Sequence, residues 1–186
     1  MTSQELDIAL KALREVKLNS TQDLRYGFDL NWEDFIKVMQ FLSPKSFGTR
    51  IQNRIIEKNN FTKVNPSDDN GDFSISGKFF EFKTSILTTS NKLANFVGIR
   101  PYQEKIDGYM LIVIDTNSAP YKTFQFQLSK GQMKEELDLM KANPSNGTKQ
   151  SNQLNKNISY RFSIDLISDN LNSRRWNKYK IESLKL

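Results

Sequence analysis

The chain has 186 residues, 37% of them hydrophobic and 13 of them Phe, with a formal net charge of +6 and a pI near 9.4. Cys and His are both absent, which excludes disulfides, thiol nucleophiles, Ser-His-Asp triads, HNH-type nuclease sites and most zinc or iron centres. Any hydrolysis must therefore use carboxylates, Lys, Arg, Tyr or Ser; carboxylate oxygens select Mg²⁺, Mn²⁺ or Ca²⁺, and the basic balance favours a polyanionic partner.

A chain of this size can bury one core, and a single domain over 1–186 is expected. The mean hydropathy of −0.60 is polar, and no run approaches the roughly 18 apolar residues of a membrane span. The first residues lack the basic and apolar regions of a secretory signal. A cytoplasmic location with no membrane partner is the expectation.

Leu6, Ala9, Leu10, Leu13 and Val16 recur at helical spacing, and Thr2 with Glu5 reads as a capping box, so the spacing predicts an amphipathic helix over 2–18. Glu15-Val16-Lys17 spells Glu-x-Lys within it, which shows how little that tripeptide means outside a strand. A polar connection over 19–30 follows, then a helix over 32–42 capped by Asn31 and stopped before Pro44. Ser46 is expected to cap a third helix over 47–58, with Phe47, Ile51 and Ile55 inward. Arg50, Arg54 and Glu57 share a neighbouring face. From there Arg50 and Arg54 can meet phosphates, or the face is simply solvated with an Arg54–Glu57 ion pair.

A short strand over 61–64 and a turn-rich loop over 65–71 lead to residues 72–83, Asp72-Phe-Ser-Ile-Ser-Gly-Lys-Phe-Phe-Glu81-Phe-Lys83. Phe73 and Ile75 alternate with polar residues, as do Phe80 and Phe82, and Gly77 marks a turn. A Gly77-Lys78 loop of type II′ sets Ser74 opposite Glu81 and Asp72 opposite Lys83. All the charges then share one face, where Asp72 and Glu81 can converge on a hard cation with the Lys83 ammonium beside them. Clustered carboxylates repel one another unless a cation offsets them, which favours a functional reading over a solvated one. Asp68 and Asp69 are read as turn formers, although a register shift hands Asp72's role to Asp69.

Residues 84–96 are expected to leave the hairpin as a polar loop or short helix. The continuous apolar run over 107–115 predicts a strand buried on both faces. In 121–129, Phe124, Phe126 and Leu128 alternate inward while Gln125 and Gln127 point out, and a helix over 130–142 follows. Residues 143–157 read as a polar loop; Lys149 makes it either a plain surface loop or a segment that becomes ordered on a phosphate backbone. After a strand over 160–164, Arg174, Arg175, Trp176, Lys178, Tyr179 and Lys180 interleave basic and aromatic residues. That pattern can hold DNA or a protein partner, or it can be a solvated helix with Trp176 tucked in.

Asp72 followed by Glu81-Phe82-Lys83, after a helix bearing Glu57, resembles the motif of the PD-(D/E)XK restriction endonucleases, and the order of elements over 47–115 matches. Gly71 stands where that motif has Pro. The resemblance implies an α/β (α+β) restriction-endonuclease-like core, a mixed central β-sheet of about five strands flanked by α-helices, and Mg²⁺-dependent hydrolysis of phosphodiester bonds in double-stranded DNA, with Mn²⁺ as a substitute. It also implies that Asp72, Glu81 and the Phe82 carbonyl ligate the metal, that Lys83 orients or helps deprotonate the attacking water, and that Glu57 serves a second metal through water. Length and element order look like the small catalytic subunit of a heterodimeric type IIS enzyme, partnered by a larger DNA-recognition and nicking subunit. A compact homodimeric type II enzyme is the alternative within the class, and a non-catalytic basic DNA-binding or assembly protein is the alternative outside it.

Overall fold

The computed structural model of the chain describes residues 7, 25, 27–40, 42–65, 67–88, 90, 92–144, 158–166 and 171–186, with only the backbone for 171–173. The helix expected over 2–18 and the loop around Lys149 lie outside these residues. The chain divides into two compact units, Met1–Asn60 with Lys185–Leu186, and Phe61–Leu184.

In the first unit, α1 (Trp32–Met39) begins where Asn31 Oδ1 accepts the Asp34 N–H at 2.9 Å. Glu33 and Asp34 in its first turn and Lys37 in its last suit the helix dipole. Phe35, Ile36, Val38 and Met39 are buried along it. The second helix, α2 (Pro44–Lys58), starts earlier than expected, because Ser43 is its cap and Pro44 stands inside the first turn. Proline's fixed φ and missing N–H suit that position, so Pro44 opens α2 rather than merely ending α1. Phe47, Ile51 and Ile55 are buried on it, as their spacing predicts.

The second unit is built on a six-stranded mixed sheet in the order β1 (Thr62–Lys63), β2 (Phe73–Ile75), β3 (Lys78–Leu87), β5 (Gly108–Asp115), β6 (Lys122–Ser129), β9 (Lys180–Ile181). β3 runs antiparallel to β2 and parallel to β5. A separate sheet orders β4 (Leu93–Ile99), β8 (Tyr160–Asp165) and β7 (Asn143–Pro144). The α+β class with a mixed central sheet flanked by helices is as expected; among the described residues the main sheet has six strands and a three-stranded sheet accompanies it. β4 replaces the last part of the expected polar loop. Its Ala94 and Phe96 are buried while Leu93 and Val97 are exposed, so the usual apolar-in, polar-out signal is blurred.

β5 is buried on both faces along nearly its whole length, as its apolar run predicts. Its Tyr109, Leu111 and Val113 join Phe126 and Leu128 of β6, Phe96 of β4, Phe162 of β8 and Trp176 in one core. Met133 and Leu137 of α3 (Lys130–Leu139) close it. Ser129 and Gln132 form a reciprocal capping box at the start of α3. Gln125 points inward rather than out: its Oε1 accepts the Leu184 N–H at 3.2 Å, which satisfies a buried amide. The chain then ends through α4 (Leu171–Trp176) and a 3₁₀ turn, Asn177–Tyr179, into β9.

Candidate active site

The hairpin forms, but its turn is Ser76-Gly77, with φ of 50° and 78°, rather than Gly77-Lys78. Two successive positive φ values are the signature of a type I′ turn, whose twist matches that of the flanking strands. The pairs are Ile75 with Lys78, Ser74 with Phe79 and Phe73 with Phe80, a slip of two residues from the expected register. Because side chains alternate with a period of two, the slip changes every partner yet leaves every face intact.

Asp72 is thereby brought to Glu81 instead of Lys83. Its N–H donates to the Phe80 carbonyl at 2.8 Å, and its Oδ2 accepts the Phe82 N–H at 2.7 Å. Asp72 is thus fastened to both peptide neighbours of Glu81. Lys83 Nζ lies 2.6 Å from Glu81 Oε1, with the two side chains 25% and 20% exposed, so the pair is neither buried nor fully solvated. On the opposite face of the hairpin Phe73 stacks on Phe61 and Phe80 at 5.3 and 5.7 Å and meets Phe82 edge-on at 6.3 Å, which anchors the charged face from behind.

Gly71 explains the departure from Pro before Asp72. It holds φ at +77°, and a Cβ placed there would sit 2.6 Å from the Phe80 carbonyl oxygen. Proline cannot reach that φ. Gly71→Ala is expected to cost about 2–4 kcal/mol through backbone strain and displacement of β3, read as a lower denaturation midpoint; an unchanged midpoint would refute this close approach.

The parallel register places Tyr109 of β5 beside Glu81. Burial, together with the Glu81 carboxylate, pushes the Tyr109 phenol well above its ordinary range, and its O–H donates to the Arg100 carbonyl at 2.7 Å. Tyr109 therefore stays a neutral wall to the site. Asp107 latches the same end of the sheet: its N–H donates to the Phe79 carbonyl at 2.7 Å, and its Oδ2 accepts the Phe79 N–H at 2.8 Å. Neither residue was singled out from the sequence, because both belong to an apolar run whose pairing partner is not encoded by spacing.

Asp69 is exposed, and its carbonyl accepts from Gln103 Nε2 at 2.8 Å, a turn role; the carboxylate fastened to β3 is that of Asp72. Glu57 lies in the first unit, its Oε1 2.6 Å from Arg25 Nη2 on an exposed surface. Its expected partner, Arg54, is engaged elsewhere.

Arg50 and Arg54 are each only 2% exposed, which corrects their expected place on a solvent or DNA face. Arg54 donates to the carbonyls of Gly27 and Leu30 at 3.2 and 2.8 Å and lies 4.4 Å from the Phe35 ring centroid, so it ties the turn over 27–30 to α2. Arg175 is likewise a structural cation, its Nε 2.8 Å from the buried Glu136 Oε2. Arg174 is exposed on α4, and Lys149 lies outside the described residues.

No family model matches the chain, and no curated protein matches it. The chemistry of the site therefore rests on its donor set. Two carboxylates and a peptide carbonyl offer only oxygen, a donor type that suits hard cations. Among the described residues no group of three or more Asp or Glu side chains is placed to hold a metal ion. No helix among them is long and apolar enough to cross a membrane.

Proposed function

We propose that the chain is a Mg²⁺-dependent DNA endonuclease acting through Asp72, Glu81 and Lys83. In its finer form, the reading makes it the small subunit of a heterodimeric type IIS restriction enzyme, cutting one strand beside a larger recognition and nicking subunit. The observation that carries the proposal is the double fastening of Asp72 to the backbone on either side of Glu81, with Lys83 at 2.6 Å from the Glu81 carboxylate. Such an arrangement presets two anionic ligands and a cation on one rigid strand pair, as catalysis by positioning requires.

A bound divalent cation would lower the pKa of a water and offset charge developing on the phosphate. Asp72 and Glu81 hold the cation's side of the site, with the Phe82 carbonyl as a further oxygen. Lys83 would orient the attacking oxygen and, by its positive charge beside Glu81, favour loss of the water's proton to solvent. Phe73, Phe80 and Phe82 keep the strands from shifting beneath these groups.

Metal binding tests the reading. Titration of Mg²⁺, Mn²⁺ or Ca²⁺ into the protein with duplex DNA present is expected to give heat that Asp72→Asn removes, and chelation of the metal is expected to stop plasmid cleavage. Absence of any Asp72-dependent heat defeats the proposal. Cutting of both strands by the chain alone would instead favour the homodimeric type II enzyme, whereas silence alone and activity with the larger subunit favours the heterodimer. One observation supports a non-catalytic reading: the Glu81–Lys83 pair already compensates its own charges.

A further inference from the structure

The three-stranded sheet has an outward face that the nuclease motif does not use. Register sets Asn95 of β4 opposite Ser163 of β8, and Asn143 of β7 opposite Arg161 of β8. Since Arg161 and Ser163 are two residues apart on one strand, these four polar side chains share a face, opposite the buried Phe96 and Phe162. They line a cavity of about 650 Å³ together with Lys141 and Arg175, and among the described residues that line it there is no carboxylate.

The ionisable side chains among its described lining residues are Lys141, Arg161 and Arg175, while Asp165 lies on the same face of β8 beyond the lining. Glu136 is fully buried behind it, with Arg175 Nε and Lys178 Nζ at 2.8 and 3.1 Å, so two cations against one carboxylate leave that cluster net positive. Lys141 and Arg161 add exposed charges. Lys141 occupies a position that helices normally give to glycine. Its φ is +49°, and the Lys141 and Ala142 N–H groups donate back to Asp138 and Leu137 at 3.0 and 2.9 Å, completing a Schellman cap after α3. A lysine there is strained relative to Gly, and what it adds is a cation at the cleft.

The cleft is linked to the candidate active site through β3. Ser85 lies on the same face as Glu81 and Lys83, two residues or roughly 6–7 Å beyond Lys83, and its Oγ accepts the Asn95 N–H at 2.9 Å. The Asn95 carboxamide in turn accepts from Ser163 inside the cleft. Ser85, Asn95 and Ser163 thus form a continuous line of contacts from the hairpin face to the cleft, and a DNA strand presents a phosphate about every 3.4 Å along its axis.

We propose that the cleft between β4, β8, β7 and the end of α3 is the docking track for the DNA phosphodiester backbone beside the scissile bond. This rests on the nuclease reading, and it names Lys141 and Arg161 as phosphate-binding residues. The test is equilibrium binding of labelled duplex DNA, without divalent metal, over a range of salt concentrations. Lys141→Gly with Arg161→Ala is compared with a charge-matched pair on α2, Lys45→Ala with Lys58→Ala. The cleft variant is expected to bind about tenfold or more weakly, with a salt slope smaller by about 2, while its melting temperature is held or raised because glycine relieves the cap. The α2 pair is expected to bind within about threefold of the parent. Equal loss in both pairs, no loss in the cleft variant, or no DNA binding by the parent chain overturns the assignment. Cleavage decides the other question separately: cutting that is indifferent to the cleft sinks the track and keeps the nuclease, whereas cleft-dependent binding without cutting under any metal keeps a DNA-binding cleft but overturns the nuclease and with it the placement beside a scissile bond.

Discussion

Replacing Lys83 by alanine is expected to lower the rate of metal-dependent DNA cleavage by about 10²- to 10³-fold, the range lost when one preorganised donor at the reacting oxygen is removed. The fold should not register the change to a comparable degree. Lys83 and Glu81 form a partly exposed pair at 2.6 Å, and pairs of that kind contribute at most about 1 kcal/mol. DNA affinity should fall only slightly, since one cation accounts for about one unit of salt slope. Single-turnover cleavage, a binding isotherm and a melting curve on the same preparation separate the three effects. Near-normal cleavage would remove Lys83 from the chemistry and with it the endonuclease reading. A variant that neither binds nor melts cooperatively would instead show that Lys83 holds β3 together.

Trp176→Ala is expected to destabilise the second unit by about 3–5 kcal/mol, a drop in melting temperature on the order of 6–20 °C for a protein of this size. Trp176 is fully buried. Its ring lies parallel to Phe162 at 5.6 Å and edge-on to Phe126 and Tyr179 at 5.8 and 5.7 Å. Truncation leaves a cavity between the two sheets that rigid strands cannot close. Trp176→Phe should cost far less, about 1–2 kcal/mol, because the indole N–H has no hydrogen-bond partner among the described residues and Phe keeps most of the ring contact. If both substitutions were tolerated equally, the aromatic cluster would not be holding the C-terminal segment on the core. A change in DNA affinity without a change in stability would restore the reading of Trp176 as a stacking residue.

The hairpin over 72–83 was legible in the chain because alternation with a period of two survives any fold that buries one face. Its turn was not legible to the residue. Whether Ser76 or Lys78 joins Gly77 in the loop depends on the twist that the strands demand, and Ser76 accepts the left-handed conformation to match it. The slip of two residues preserved the shared face of Asp72, Glu81 and Lys83 and altered which of them meet. The arginines of α2 failed for a different reason. Helical spacing gives the angle between Arg50, Arg54 and Ile51, but not what packs over each; the carbonyls of Gly27 and Leu30 that capture Arg54 come from a turn more than twenty residues away. At the C-terminus, interleaved basic and aromatic residues read equally well as a nucleic-acid surface or as a solvated helix with Trp176 tucked in; the structure buries Trp176 and pairs Arg175 with Glu136, while Arg174, Lys178 and Lys180 stay exposed.

From composition and local pattern alone follow the absence of thiol and imidazole groups, the net positive charge, the central buried strand, and the placing of two carboxylates and a lysine on one hairpin face. These depend on residue type and on periods of two or 3.6, which every chain obeys before it folds. Tertiary structure alone decided that β3 lies parallel to β5 with Tyr109 against Glu81, that Asp72 grips both neighbours of Glu81, and that Asn95, Ser163, Asn143 and Arg161 form one wall of a cationic cleft. Those pairings join segments far apart in the chain, where register is set by which faces can be buried together rather than by anything the local spacing contains.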